Sequence, residues 1–149
     1  LARELRPTAL DDHGLRVALQ AQVERVAANS GLVVQMVLDD EAPAALGALT
    51  EQQQIVVYRI VQEALSNAVQ HAQASEATVR IATRADGLPL ITIEDDGTGF
   101  PAEPSEGLGL VGMRERARLA GGQVRFRPRA AGGTVVTLDL ADHTAKAAA

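Results

Sequence analysis

The stretch Leu88-Pro89-Leu90-Ile91-Thr92-Ile93-Glu94-Asp95-Asp96-Gly97-Thr98-Gly99 decides how the rest of the chain is read. Leu88–Asp95 has the alternation of a half-buried strand, with Ile91, Ile93 and Asp95 on one face. An ionised carboxylate that continues an apolar face is costly unless something pairs with it. The glycines that follow permit unusual backbone angles and let a ligand approach the main chain closely. A carboxylate placed there can accept a hydrogen bond from the exocyclic amine of adenine. Guanine presents a carbonyl at the same place and is refused. Such a charged hydrogen bond contributes about 1.5–3 kcal/mol. The ordinary alternative is a turn after a strand, where Asp and Gly are common.

Upstream, Thr50-Glu51-Gln52-Gln53 reads as a capping box, with glutamine three residues after the cap. A long helix runs from there to about Ala72. Val57, Ile60, Val61, Ala64, Ala68 and Ala72 share one stripe at 100° per residue. Glu63, Asn67 and His71 form a polar row along its edge, each one turn from the next. An amide oxygen at Asn67 suits Mg²⁺, which takes oxygen ligands and only one or two from protein. Glu63 is placed to orient water or a phosphoacceptor as a base. By itself the row also reads as a solvated helix edge.

Downstream, Gly107-Leu108-Gly109-Leu110-Val111-Gly112 matches G-x-G-x-x-G literally. The dinucleotide reading fails on context, because a Pro/Glu/Ser loop precedes the motif and the later acidic residue is missing. No Gly-Lys-Ser/Thr follows, so it is not a Walker A loop, and the protein-kinase signatures are absent. What remains is a glycine-rich helix start whose free N–H groups suit phosphate. The helix extends over Gly107–Ala120 and Gly121-Gly122 stops it. Gly132-Gly133-Thr134 opens the last strand and, alone, is a hairpin turn.

The remaining elements follow the same patterns. Gly14–Ser30 reads as a helix and Leu32–Leu38 as a strand, broken by Asp39–Pro43. Val79 and Ile81 mark a second strand, Val124 and Phe126 a fourth, and Val135–Leu140 a fifth. The expected class is an α/β sandwich: a mixed five-stranded sheet with three helices against one face.

Composition excludes several classes. The 149 residues suffice for one domain with a core. There is no cysteine, so disulfides, thiolate metal sites and cysteine nucleophiles are ruled out. The formal charge of -5 and only one Tyr, two Phe and no Trp argue against nucleic acid as a partner. No apolar run approaches the roughly 20 residues of a membrane span, and Leu1–Leu10 does not read as a signal peptide.

Each motif is weak alone, but their order is specific. Glu-x-x-x-Asn on a helix, Asp-x-Gly-x-Gly after a strand, Gly-Leu-Gly-Leu, and Gly-Gly-Thr in a closing strand resemble the GHKL ATPase superfamily. That group holds sensor histidine kinases, chaperone ATPases, type II topoisomerases and mismatch-repair ATPases. The segments Glu63–Ala72 and Gly109–Arg116 look like the N box and G2 region of the NarX/DesK type of histidine kinase. Glu4-Leu5-Arg6-Pro7 with Leu10–Leu15 resembles the junction leaving their dimerisation helices.

The resemblance implies a Bergerat fold. Residues 1–13 would end the dimerisation region, 14–140 form the ATP-binding catalytic domain, and 141–149 a frayed tail. Asp95 would read adenine with Thr134 assisting through water. Asn67 would bind Mg²⁺ with Glu63 nearby, and His71 would line the site. Gly97 and Gly99 would shape the pocket for ATP or ADP. Gly107, Leu108, Gly109 and Leu110 would face phosphate, and Pro101–Glu106 would be a short lid.

Two departures stand out. Gln70 occupies a place where many members carry a basic residue, and no phosphoacceptor box is present at His13, His71 or His143. The chain would therefore serve a phosphoacceptor histidine on a separate dimerisation domain, with a response regulator downstream. The isolated fragment is expected to be monomeric, its parent homodimeric, and the domain cytoplasmic, with the parent's anchorage to a membrane left open. The alternatives are an anti-sigma-factor-type serine kinase and a non-catalytic nucleotide-binding docking module.

Overall fold

A computed structural model describes residues 9–99 and 109–140 of the chain. The junction residues Glu4–Pro7, the lid Pro101–Glu106, Gly107, Leu108 and the tail lie outside the described residues. Helices α1 (Ala9–Ser30), α2 (Ala42–Gly47), α3 (Glu51–Gln70) and α4 (Leu110–Leu119) accompany strands β1 (Val33–Leu38), β2 (Glu76–Thr83), β3 (Pro89–Asp95), β4 (Gly122–Pro128) and β5 (Thr134–Leu140). The strands form one mixed sheet in the order β1-β2-β3-β5-β4. Only β1 and β2 run parallel; the other pairs are antiparallel. The five expected strands are therefore present, with the helices packed on the sheet.

The sequence expects three helices, and α2 is an addition. Its Pro43 sits in the first turn, where a missing N–H costs nothing. Ala42, Ala45 and Leu46 are buried beneath it. The first helix also begins earlier than expected: Gly14, at φ 83° and ψ 176°, breaks α1 rather than starting it.

The Thr50 capping box is formed in full. Thr50 Oγ1 accepts from Gln53 N at 3.1 Å, and Gln53 Oε1 accepts from Thr50 N at 2.9 Å. The helix it starts, α3, is the centre of the core. Val57, Ile60, Val61 and Leu65 are fully covered, each contributing about 1.5–3 kcal/mol by leaving water. Val56 and Tyr58 are buried as well, so the covered face is broader than the expected stripe, because α3 packs against α1 as well as the sheet. On the sheet, Ile91 and Ile93 of β3 meet this layer, with Val79, Ile81, Val136 and Leu138 from β2 and β5. Burial alternates along β3 through to Asp95, which lies on the helix-facing side.

Among the described residues no helix is long and apolar enough to cross a membrane.

Candidate functional site

Asp95 ends β3 on the covered face, and the backbone arrangement holds its carboxylate in place. Gly97 N–H donates to Asp95 Oδ1 at 2.9 Å, and the Thr134 N–H also donates to the carboxylate. Burial pushes the Asp95 carboxyl up from its ordinary value; these two amides and the Arg129 charge pull the other way. An ionised carboxylate offers about four acceptor positions, so two amides leave capacity for a donor from a ligand.

The neighbouring Asp96 does different work. Its Oδ1 accepts from Ser75 N at 2.8 Å and Glu76 N at 2.9 Å, pinning the start of β2 to the end of β3. Those hydrogen bonds hold its carboxyl below the usual range. The loop after β3 is tied through its backbone to the segment that follows α3: Thr98 N donates to Ala72 O at 2.8 Å. Gly97 lies flat on Ala72, whose Cβ would be 2.6 Å from any Cβ added there.

Asn67, one turn before the end of α3, is 8% exposed, as is Asp95. The Asn67 carbonyl accepts from His71 N at 2.9 Å and Ala72 N at 3.0 Å, closing the helix. Asn67, His71, Asp95, Gly99 and Thr134 line one cleft with Ala64, Ala72 and Val136. The cleft has an apolar wall of small residues and a polar end, which suits a flat heteroaromatic base with an amine on its edge.

The other expected site residues lie around this cleft. Glu63 is outside its lining and beside Gly109, where a Cβ would overlap the Glu63 carboxylate. Gly109 caps α4 with φ 68° and no side-chain cap, and Leu110 is buried at the first position of that helix. The uncapped N–H groups of α4 therefore start close to Glu63. Gly97 is not in the cleft's lining and packs against Ala72, which is. The expected phosphate-facing Gly107 and Leu108 lie outside the described residues.

Three contributors escaped the sequence reading. Asp96 bonds to residues far back in the chain, which no local pattern reveals. Gly133, at φ 110°, passes so close to Asp95 that a Cβ would overlap the Asp95 carbonyl; the glycine pair signalled a turn but not this approach. Arg129 donates to Gly132 O at 3.1 Å and lies 3.7 Å from Glu94 Oε2, bracing the hairpin that delivers Thr134.

Among the described residues no group of three or more His, Cys, Asp or Glu side chains is arranged to hold a metal. On the α3 side the oxygen-bearing side chains are the amide of Asn67, in the cleft wall, and the carboxylate of Glu63, one turn before it and outside that wall. That set fits an ion that draws most of its ligands from phosphate and water, as Mg²⁺ does.

The family model described as "Histidine kinase-, DNA gyrase B-, and HSP90-like ATPase" matches residues 52–144. The nitrate/nitrite sensor protein NarX of Escherichia coli K12 is 40% identical over 141 residues, covering 91% of this chain and 23% of that protein. The oxygen sensor histidine kinase NreB of Staphylococcus carnosus is 36% identical over 143 residues, covering 94% of this chain and 40% of that one. The chain thus spans well under half the length of these curated relatives. Among solved structures, the blue-light activated histidine kinase of Erythrobacter litoralis EL346 superposes with a TM-score of 0.64 at 22% identity, over 82% of this chain and 43% of that one. The histidine kinase AdeS of Acinetobacter baumannii gives 0.63 at 14% identity, over 85% and 64%. At those identities the structural likeness speaks for the fold.

Proposed function

From the premise that this chain belongs to the histidine kinase-, DNA gyrase B- and HSP90-like ATPase family, we propose that it is the ATP-binding catalytic domain of a two-component sensor histidine kinase. It donates the ATP γ-phosphate to a histidine on a separate dimerisation domain, for relay to a response regulator. The observation that carries this reading is the shared cleft of Asn67 and Asp95, floored by small apolar residues and closed by Thr134. The sensor-kinase names of NarX and NreB, at 40% and 36% identity, favour phosphorelay over the other activities of the family.

In this reading Asp95 accepts from the exocyclic amine of adenine, and Thr134 supports it from the paired strand. Ala64, Ala72 and Val136 contact the faces of the base. Asn67 would hold Mg²⁺, assisted by Glu63; when bound, the ion neutralises phosphate charge. The N–H groups at the start of α4, with Gly107–Leu110, receive phosphate oxygens. Glu63 lies beside that helix start and orients the acceptor imidazole. Transfer then depends on positioning and charge neutralisation more than on covalent work by the protein.

Residues 14–140 form this domain, 1–13 lead in from the dimerisation helices, and 141–149 trail from it. The domain works in the cytoplasm as part of a homodimeric parent.

The test is labelling with γ-³²P ATP. The chain alone should remain unlabelled, and a dimerisation domain from a histidine kinase of this subgroup, supplied in trans, should become labelled on its histidine. Self-labelling of this chain on a histidine, or on a partner's serine, would overturn the assignment.

A further inference from the structure

The sheet has two edges, and they are built differently. The β4 edge, Gly122-Gln123-Val124-Arg125-Phe126-Arg127-Pro128, carries exposed Arg125 and Arg127 and ends in proline. Charges and proline are the ordinary defences of an edge strand against pairing with another chain. The β1 edge, Val33-Val34-Gln35-Met36-Val37-Leu38, has neither. Its six residues are uncharged, and Val33 and Val37 are 56% and 38% exposed. Among the described residues no strand pairs with the far side of β1.

The backbone of β1 shows which groups that far side offers. Val33 N donates to Ser75 O at 3.0 Å and Asp39 N to Ile81 O at 3.1 Å, both toward β2. Alternate residues of a strand point their N–H and C=O to opposite sides. Gln35 and Val37 therefore also turn toward β2, and Val34, Met36 and Leu38 present theirs outward.

We infer that this edge pairs, antiparallel, with the β1 edge of a second copy of the chain, about a two-fold axis through Gln35. That register matches the strand to itself. Val34 faces Met36 of the second copy, and both residues present outward N–H and C=O groups, so the two copies exchange four backbone hydrogen bonds. Val33 faces Val37 on the open side of the sheet, covering the two exposed valines of the edge with each other. Gln35 meets Gln35 on the axis. Shifting the register by one residue would set Val33 and Val37, on the open side of the sheet, against the helix-side row of Val34, Met36 and Leu38.

The charges agree with the same register. Val33–Leu38 carries no charged residue, so no like charges face each other within the paired segment. The result is an isologous interface that joins two five-stranded sheets into one. It is smaller than a standard protein interface, so association is weak and concentration-dependent. This replaces the monomer expected from the sequence, and it stands independently of the nucleotide reading.

Sedimentation equilibrium of the 149-residue chain tests it, at concentrations on the order of 10 µM to 1 mM, where weak interfaces associate. The wild type should show a monomer–dimer equilibrium. Gln35→Lys sets two like charges opposite each other and should weaken it roughly tenfold or more. Gln35→Ser should retain it. Gln35 is exposed, so all of these variants should melt with the wild type.

The chain has no cysteine, so Gln35→Cys reports on the axis directly. Residue 35 would be a non-hydrogen-bonded pair, with Cα atoms about 4.5 Å apart, within disulfide reach. Oxidation with copper–phenanthroline should yield a cross-linked dimer from Gln35→Cys and not from Arg127→Cys on β4. A wild type that stays monomeric at 1 mM, a dimer unaffected by Gln35→Lys, or equal cross-linking of the two cysteine variants would overturn the inference.

Discussion

Asp95 and Thr134 face each other across the β3–β5 ladder, at the position where β3 ends and β5 begins. A buried carboxylate thus stands at the mouth of the cleft, braced by backbone rather than by a salt bridge. Its burial works against its charge.

The Asp95 carboxyl is raised, chiefly by burial. The folded state therefore binds more protons than the unfolded state between the two values, and stability falls as pH rises through that window. Above it the charge persists as a cost. Asp95→Asn should leave the unliganded domain at least as stable as wild type at pH 7, with a small upward shift in melting temperature. The difference should shrink as pH falls through the folded value. Calorimetric melts across pH check this; a variant markedly less stable at pH 7 would argue that the charge is structurally favourable.

Asp96 should behave in the opposite sense. Its carboxyl is lowered by the amides of Glu76 and Ser75. That stabilisation is present above the unfolded value and is lost as pH falls through the folded one. Asp96→Ala should lower stability at pH 7 and converge with wild type in acid. Urea unfolding at the two extremes of pH measures it.

Gly133→Ala tests the close approach of the β4–β5 hairpin. The added Cβ must displace either the turn or the Asp95 main chain, and φ 110° is itself strained for alanine. A loss of about 1–3 kcal/mol is expected. ATP affinity should fall with it, because Thr134 and Asp95 move apart. Denaturant melts and nucleotide titration on the same preparation follow both effects.

Thr50→Ala separates fold from site. It removes the capping-box acceptor of Gln53 N and should cost about 1 kcal/mol. Nucleotide affinity at temperatures well below melting should be unchanged, since Thr50 lies at the opposite end of α3 from Asn67.

The elements that surround the cleft were legible for definite reasons. Period two along Leu88–Asp95 put Asp95 on the apolar face, and helical spacing put Asn67 and His71 beside the stripe of Ala64 and Ala68. A polar residue that continues an apolar pattern is readable from a single sequence. The short α2 was not, because six residues of Ala, Pro, Leu and Gly complete too few turns to show a period, and Asp39–Pro43 looks like a break. The insertion of β5 between β3 and β4 also escaped, since sequence adjacency alone cannot say which edge a hairpin adds to. Asp96, Arg129 and Gly133 act through partners distant in the chain, and their residue types are those of any turn.

In the proposed function Asp95 reads the amino edge of adenine while Asn67 serves the metal beneath the triphosphate. Titration calorimetry of Mg²⁺·ATP and Mg²⁺·GTP into wild type and Asp95→Asn addresses it most directly. Wild type should prefer ATP, and the variant should lose roughly 10- to 150-fold of its ATP affinity, with most of the preference. Asp95→Asn binding ATP as tightly as wild type, with the preference intact, would contradict it.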